Sequence, residues 1–485
     1  MAGKIKIRSK KNENFNQWYN EIVFETKLLD HYDISGCYVM LPDSCTIWEL
    51  VRQYLDDQFK RIGVKNVYFP ILITENNLKR EQQHLEGFQV ETIWITKNDE
   101  NKLAIRPTSE CGIYPTFEKM IRSHQDLPIL FNQWANVVRW EVSQPTPFIR
   151  SKEFLWQEGH CAFENSHYVD MHILDILEIY RKTYEKLLCV PVFVGKKTKS
   201  ERFAGAIETY TLETYIPEAK RSIQSATVHD LGQNFSKMFN IKFQKENDEH
   251  DFCYQSSWGL TTRSIGVTIM THSDDNGLIF PPSIAPIQIV IIPINFSKEG
   301  ETNAQIQQVS SQLYARLKNN FRVVLDSSEV RPGQKYYYWE AKGVPLRIEI
   351  GPKDAVNDTC VCVLRHNSSK NIVKLDNVGI EFISALFESI SSDLFAKASD
   401  KLDNSISFVV TINELSSSLK LGKLPLCFLC GDECEGHIRD KFAIKPICVP
   451  NMIHQVKFIP NDKDKFNCII CSKETKTCCL VSKTF

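Results

Sequence analysis

Three arginines stand in settings that suit them to binding phosphate. The segment VVRWE (Val137 to Glu141) places Arg139 and Glu141 two residues apart, which on a strand means one face. Arg150 follows across the Pro-rich stretch SQPTPFIR, and the return run is FLWQEGH. Pairing of the two strands sets a fork-shaped guanidinium beside a carboxylate in one concave site. Arg263, in SWGLTTRSIGVTIM, leads Ile265, Val267, Ile269 and Met270, so its charge has to be paired or functional. Planar guanidinium donors hold two oxygens at once and stay charged, which matches phosphate. Taken singly, each residue also has a plainer reading: a cross-strand salt bridge for the first pair, a satisfied core arginine for the last.

A second chemical set lies near the C-terminus. The chain has 16 cysteines, and eight of them fall between Cys427 and Cys479. Cys427-Phe-Leu-Cys430 and Cys468-Ile-Ile-Cys471 form two CxxC pairs, with Cys434 close by. Thiolates at such spacing can wrap tetrahedral zinc, and a closed four-sulfur site is structural. A reduced, metal-free tail is the alternative.

The elements that must carry these groups fall into three stretches. In the first, Trp48, Leu50, Val51, Tyr54, Leu55 and Phe59 recur at helical spacing up to Gly63. The run VYFPILI (Val67 to Ile73) is β-rich. Strand-like runs follow at Ile93–Thr96, Leu103–Ile105, Asn136–Glu141 and Phe154–Gly159, with a helix over Met171 to Leu188. Many strands with few β-α-β periods predict an α+β domain, an antiparallel sheet flanked by helices. After PPSIAP the pattern changes: IQIVIIPI, a helix over Asn303 to Leu317, FRVVLD, VPLRIEIG and TCVCVLRH predict a small α/β domain with a mainly parallel sheet. Boundaries are expected at residues 1–285, 286–390 and 391–485, the last a small α/β zinc-binding domain.

Bulk properties set the outer limits. At 485 residues, two or three domains are expected, and 42% apolar with 24% charged residues is ordinary globular composition. A formal net charge of −1 excludes a polybasic nucleic-acid coat, so an RNA surface has to be a local patch. The N-terminal stretch is basic without an apolar run, unlike a secretory signal. The longest apolar run, Ile284 to Phe296, contains Pro286 and Pro293 and is too short to span a bilayer. No membrane association and a cytoplasmic location are therefore expected.

Longer words in the sequence carry a family resemblance. GCYVMLPDSCTIWELVRQYLDDQFKRIGVKNVYFPIL, AIRPTSE, NQWANVVRWE, FLWQEGHCAF, KSERFAG, LGQNFSKMF and SWGLTTRSIG resemble the prolyl-tRNA synthetases of the archaeal/eukaryotic type. The likeness runs from about residue 14 to the C-terminus. It includes the three signature motifs of class II synthetases: a helix plus Pro70, the Arg139/Glu141 pair, and Arg263. The resemblance implies an enzyme that activates L-proline with ATP and transfers it to tRNA(Pro). Because the proline carboxylate is already ionised, no side-chain base is needed; catalysis rests on positioning and on positive charge aimed at phosphate.

By the same resemblance, Arg139 holds the α-phosphate and the proline carboxylate, and Arg150 with Ser151 reaches the distal phosphates. Arg263 with Thr261 binds the nucleotide from the far side; Trp140 and Glu141 belong to the adenine end. Mg2+ neutralises the phosphates, near Gln224 and Thr227. The proline pocket uses Thr108, Ser109 and Glu110, with Phe88, Trp156 and Phe203 around the ring and His229 closing it; plain core packing is the other fate open to the aromatics. Glu340, Arg347, Lys353 and Asp354 are the anticodon candidates, since guanine edges suit such side chains; a solvated charged face is the other reading open to each. Zinc falls to Cys430, Cys434, Cys468 and Cys471, with Cys427 and Cys448 as substitutes. A homodimer is implied by the first motif.

Two departures from the family pattern concern glycines. Ser225 and Ala226 stand where the family has Gly-Gly, and His272-Ser273-Asp274 stands where it has HGD. Losing glycine restricts the backbone, which bears on how the loop sits and how strongly it binds substrate; the polar atoms are retained, so activity is expected. Phe485 replaces a C-terminal tyrosine. A sister class II enzyme for threonine or serine is opposed by the TSE loop and by the lack of an editing insertion. A non-catalytic RNA-binding paralogue would have lost the phosphate-binding arginines.

Overall fold

A computed structural model describes residues 5–84, 92–96, 102–295, 301–450 and 466–485. Among them an eleven-stranded sheet is the frame. Its spatial order is Ile406–Phe408, Leu424–Phe428, Cys478–Thr484, Lys445–Pro450, Phe193–Lys196, Glu208–Ile216, Arg221–Gly232, Tyr254–Thr261, Glu153–Phe163, Ile129–Val138 and Lys65–Asn66. The central pairings from Phe193–Lys196 to Ile129–Val138 are all antiparallel, as the strand-rich first stretch predicts.

Helices cover one face. Pro42–Arg61 buries Trp48, Val51, Leu55 and Phe59, the helical stripe seen in the sequence, and Gly63 closes it with φ +84. Ser166–Lys182 is started by Asn165, whose side chain accepts from the Tyr168 amide, and continues through a wider π turn, Thr183–Leu187. These helices, Phe15–Glu25 and Arg263–His272 share one apolar core with Cys161, Phe163, Val228, Trp258 and Leu260 of the sheet. On the opposite face Glu110–Met120 and Asn234–Phe239 form a smaller core around Tyr114, Phe117 and Ala162. The sheet is thus read through its alternation: Phe163 and Cys161 point to one core, Ala162 to the other.

Three local expectations are corrected. Val67 to Ile73 is not one strand; only Leu72–Thr74 is, because Pro70 has no N–H to give a ladder. The strand carrying Arg139 ends at Val138, after which the Arg139 amide makes a last bond to the Lys152 carbonyl at 2.7 Å. Trp140 and Glu141 lie in the following turn, so Arg139 and Glu141 do not share a strand face. The second sheet, Val323–Leu325, Ile289–Pro293, Leu346–Ile350, Thr359–Leu364 and Lys370–Lys374, is mixed rather than mainly parallel. Its first two pairings are parallel and its last two antiparallel: the short helix Pro352–Asn357 returns the chain beside Leu346–Ile350, and residues 365–369 turn it back again as a hairpin.

The segment after residue 405 extends the large sheet. Lys445–Pro450 pairs with Phe193–Lys196, and Cys478–Thr484 inserts between Leu424–Phe428 and Lys445–Pro450 while also touching Arg221 and Ser222 in parallel. No helix of the described residues is long and apolar enough to cross a membrane.

Candidate active site

The sheet face opposite the large helical core holds two concavities that share a wall. One, of about 330 Å3, is lined by Thr108, Glu110, Glu158, His160, Phe203 and His229, among others. The other, of about 300 Å3, is lined by Arg150, Ser151, Phe154, Thr261, Arg263 and Phe485, among others. Arg139, Glu141, Trp156, Gln224, Thr227 and Gly259 border both. The three arginines named from sequence therefore converge on one cleft.

Each arginine is aimed differently. Arg139 spans the junction, with its Nε tied to the Pro107 carbonyl at 3.2 Å and its guanidinium over the rings of Phe154 (5.4 Å) and Trp156 (5.7 Å). It makes no ion pair among the described residues, so its terminal nitrogens face the cleft. Arg263 is the first residue of its helix and is braced by Nε to Ile149 O (3.1 Å) and Nη1 to Gln224 O (2.8 Å). Burial, with repulsion from Arg139 and Arg150, pushes the Arg263 guanidinium below its ordinary range; burial does the same to Arg139 against the pull of Glu141 and Glu110. Both stay charged, since guanidinium does not deprotonate in proteins. Such crowding of like charge favours an anion between them.

A β-bulge explains how Gln224, Thr227 and His229 reach one cavity. Leu212 pairs with Ala226 but Glu213 pairs with Gln224, which leaves Ser225 as the extra residue. Strict alternation would separate Gln224 from Thr227; the bulge shifts the phase, and Ala226 and Val228 turn into the core instead. Neither Ser225 nor Ala226 has positive φ. The Ser225 hydroxyl meets Thr214 Oγ1 at 2.8 Å, and its carbonyl accepts from Tyr184 OH at 2.8 Å. Ser273 sits at φ −67, an angle open to any residue. The three replaced glycines thus impose no backbone strain here.

The concavity lined by Phe203 and His229 is walled by a hydrogen-bonded relay. The Phe203 amide donates to Thr209 Oγ1 (3.0 Å), which lies 3.0 Å from His229 Nδ1. His229 Nε2 faces Thr227 Oγ1 (3.3 Å), whose hydroxyl donates to Tyr210 O (3.2 Å). With Thr227 donating to Tyr210 O, the His229 hydrogen lies on Nε2, and Thr209 can donate to Nδ1 of the neutral ring. Burial and the nearby His160 agree, pushing His229 down to about 3. Glu110 opens the helix Glu110–Met120, where its carboxylate accepts from Thr108 and suits the helix dipole.

Some assigned residues sit apart from the cavity. Trp140 is exposed beneath Lys152, whose Nζ stands 4.0 Å over its ring, and it lines neither concavity. Ser109 lies behind the wall, donating to Glu158 Oε1 at 2.5 Å. Phe88 lies outside the described residues. Glu158 and His160 were missed, although with Trp156 they follow the period-two alternation of the strand Glu153–Phe163 that faces the cavity. His160 Nε2 meets Glu158 Oε2 at 3.1 Å; burial opposes its charge, but Glu158 and Glu110 hold its pKa above the usual histidine range.

The other two sets separate more clearly. Glu340 and Arg347 border a concavity of about 200 Å3 with Trp339, Arg365 and Lys370. Lys353 and Asp354 do not: Asp354 caps the helix Pro352–Asn357, accepting from the Gly351 amide at 3.0 Å and from Thr359 Oγ1 at 3.2 Å. The sulfurs of Cys430, Cys434, Cys468 and Cys471 all lie within 4.8 Å of one another, a group that could hold a metal ion. Cys427 is buried opposite Cys479, and Cys448 lies in the strand Lys445–Pro450, both outside this group.

Comparison with known proteins assigns the class. Residues 88–272 match the tRNA synthetase class II core domain (G, H, P, S and T), and residues 288–385 match an anticodon binding domain. The chain is 44% identical over 429 residues to the cytoplasmic proline--tRNA ligase of Arabidopsis thaliana, covering 87% of this chain and 80% of that protein. With the proline--tRNA ligase of Encephalitozoon cuniculi it shares 40% over 449 residues, 90% and 89% of the two chains. The mouse bifunctional glutamate/proline--tRNA ligase is 40% identical over 456 residues, which are 30% of its length. A crystal structure of prolyl-tRNA synthetase from Cryptosporidium parvum, complexed with L-proline and AMP, superposes with TM-score 0.93 at 38% identity, covering 100% and 98% of the chains. This chain belongs to the proline--tRNA ligase family.

Proposed function

We propose that the paired concavities are the centre at which proline and ATP meet, with Arg139 bridging the two substrates. The protein is a proline--tRNA ligase: it forms prolyl-adenylate and pyrophosphate from L-proline and ATP, then transfers proline to tRNA(Pro). The observation that carries the residue assignment is the convergence of Arg139, Arg150 and Arg263 on one cleft whose other half is lined by Glu110, Trp156, Phe203 and His229.

In this reading the proline carboxylate attacks the α-phosphorus, and the bond to the pyrophosphate oxygen breaks. Arg139 holds the carboxylate and an α-phosphate oxygen; Arg150 and Ser151 take the distal phosphates, and Arg263 with Thr261 neutralises charge from the far side. Glu141 lies at the adenine end. Guanidinium donors fixed in a half-buried site stabilise the charge that develops on the phosphorane oxygens. Glu110 accepts from the secondary ammonium of proline, and Trp156 and Phe203 enclose its ring. Neutral His229 adds no repelling cation to that pocket. Thr108 and Ser109 hold Glu110 and Glu158 in place.

Gln224 donates through Nε2 to Thr211 Oγ1 at 3.2 Å, so its amide oxygen remains for Mg2+ beside the phosphates. Magnesium supplies charge neutralisation there. The cysteine group fits structural zinc: at 2.3 Å from the metal, tetrahedral sulfurs stand about 3.8 Å apart, and Cys430 is 3.5 Å from Cys434 and 3.3 Å from Cys471. The 1–285, 286–390 and 391–485 divisions, an anticodon surface at Glu340 and Arg347 assisted by Lys353, a homodimer and a cytoplasmic location complete the proposal.

Proline-dependent ATP–pyrophosphate exchange with purified protein tests it. Exchange with proline is expected. Exchange with threonine or serine instead, or none with any amino acid alongside retained tRNA binding, overturns the reading.

A further inference from the structure

We infer that Glu435, on a helix outside the catalytic core, is a positioning residue that sets the Phe203 wall of the amino-acid pocket. Phe203 is carried by a turn, Lys199–Glu201, that has little apolar anchorage of its own: none of its three residues is buried. The helix Asp432–Phe442 grips that turn from behind with two residues one helical turn apart. Glu435, 3% exposed, accepts through a single oxygen from Thr198 Oγ1 at 2.9 Å and from the Ser200 hydroxyl. Arg439 reaches Glu201 at 3.1 Å, and Lys445 closes on the same carboxylate at 2.5 Å.

From the turn the connection runs directly into the pocket. Two residues beyond the gripped segment, the Phe203 amide donates to Thr209, which orders His229, and the Phe203 and His229 rings lie 4.5 Å apart. Glu201, Arg202 and Phe203 all line the cavity. A buried carboxylate with two hydroxyl donors is a strong and directional hold. Removing it leaves the buried Thr198 hydroxyl with only the Ser200 hydroxyl, 3.5 Å away, and frees the turn to move. The expected consequence falls on proline binding and spares the nucleotide side, since none of Thr198 to Phe203 borders the Arg150–Arg263 concavity. The inference rests on assigning this cavity to proline.

Steady-state exchange kinetics on the full chain test it. Glu435→Ala should raise KM for proline by roughly tenfold, the loss of about one charge-assisted hydrogen bond, with kcat and KM for ATP within about twofold. Glu435→Gln, whose amide oxygen still accepts, should restore most of the affinity. Thr198→Val with Ser200→Ala removes the other half of the contact without approaching the cysteines, and must reproduce the rise; combined with Glu435→Ala it should add little. If Glu435→Ala does not fold, the hydroxyl pair alone decides. An unchanged KM for proline in a folded variant overturns the proposal, as does an equal rise for ATP or a rise confined to Glu435→Ala. A wild-type protein that exchanges no proline overturns the pocket assignment instead.

Discussion

Arg263 donates through Nη1 to the main-chain carbonyl of Gln224 at 2.8 Å, so a cation at the start of one helix holds the bulged strand that faces the cleft. That bond adds support of the Gln224 segment to the role proposed for Arg263, charge aimed at the nucleotide. Arg263→Ala should therefore lower kcat/KM for ATP in exchange by about 10²–10³-fold. Arg263→Lys should recover little, because one ammonium cannot replace a braced planar fork. Near-normal ATP kinetics in either variant would remove the residue from its role.

Among the described residues Arg139 is hydrogen-bonded through one nitrogen, Nε, to the Pro107 carbonyl. Its removal should abolish measurable adenylate formation, with a loss of at least about 10²-fold, while the melting temperature moves by no more than a few degrees. Calorimetry beside pyrophosphate exchange separates the outcomes; a folded variant with normal rate refutes the assignment.

The cysteine group should hold one zinc per chain. Cys468→Ser should lose the metal and lower the melting temperature, because binding energy of a structural zinc is folding energy. Cys448→Ser should retain it, since that thiol lies outside the cluster. Elemental analysis giving the reverse pattern, or no metal in the gently purified wild type, would reject the site.

Burial holds His172 down to about 4, against an ordinary 6.5. A base with a depressed folded pKa lends stability above 6.5 and loses it as pH falls toward 4, because only the unfolded chain then takes the proton. The loss amounts to about 3 kcal/mol at most for this shift. His172→Gln should lessen the fall of urea-unfolding stability between pH 7.5 and 4.5, while buried His229 and His272 keep part of it; an unaltered slope would show that His172 does not titrate this way.

Gly159 faces Trp258 across the strand pair, and a Cβ there would fall 2.0 Å from the indole ring. Gly159→Ala should cost about 2–3 kcal/mol and lower the melting temperature, as overpacking of a filled core does. Wild-type stability in this variant would mean that Trp258 has room to swing away.

Much of this arrangement was legible because it rests on periodicity and on side-chain chemistry. Trp48, Val51, Leu55 and Phe59 announced their helix by spacing, and Arg139, Arg150 and Arg263 by charge in half-apolar surroundings. The cysteine set was reached through spacing together with family resemblance. Glu158 and His160 obeyed the same alternation, but the run FLWQEGH was read only as the return strand opposite Arg139. The Ser225 bulge was invisible, since an inserted residue leaves no mark on composition, yet it brings Gln224 and Thr227 to one face. Asp354 carried a suitable charge, and only the Gly351 amide reveals that its carboxylate is engaged as a helix cap.

The strand Cys478–Thr484 pairs Lys483 with Arg221, residues some 260 positions apart, beside the wall that Phe485 gives the concavity of Arg150 and Arg263. During synthesis, ribosomes release domains in order from the N-terminus. The earlier strands can assemble and bury their core while residues 478–485 are still within the ribosome, but the groove for Cys478–Thr484 stays open until they emerge. Nascent chains would thus pass through a stage that is folded yet incomplete, and the concavity that Phe485 walls would be completed only once those residues have left the ribosome.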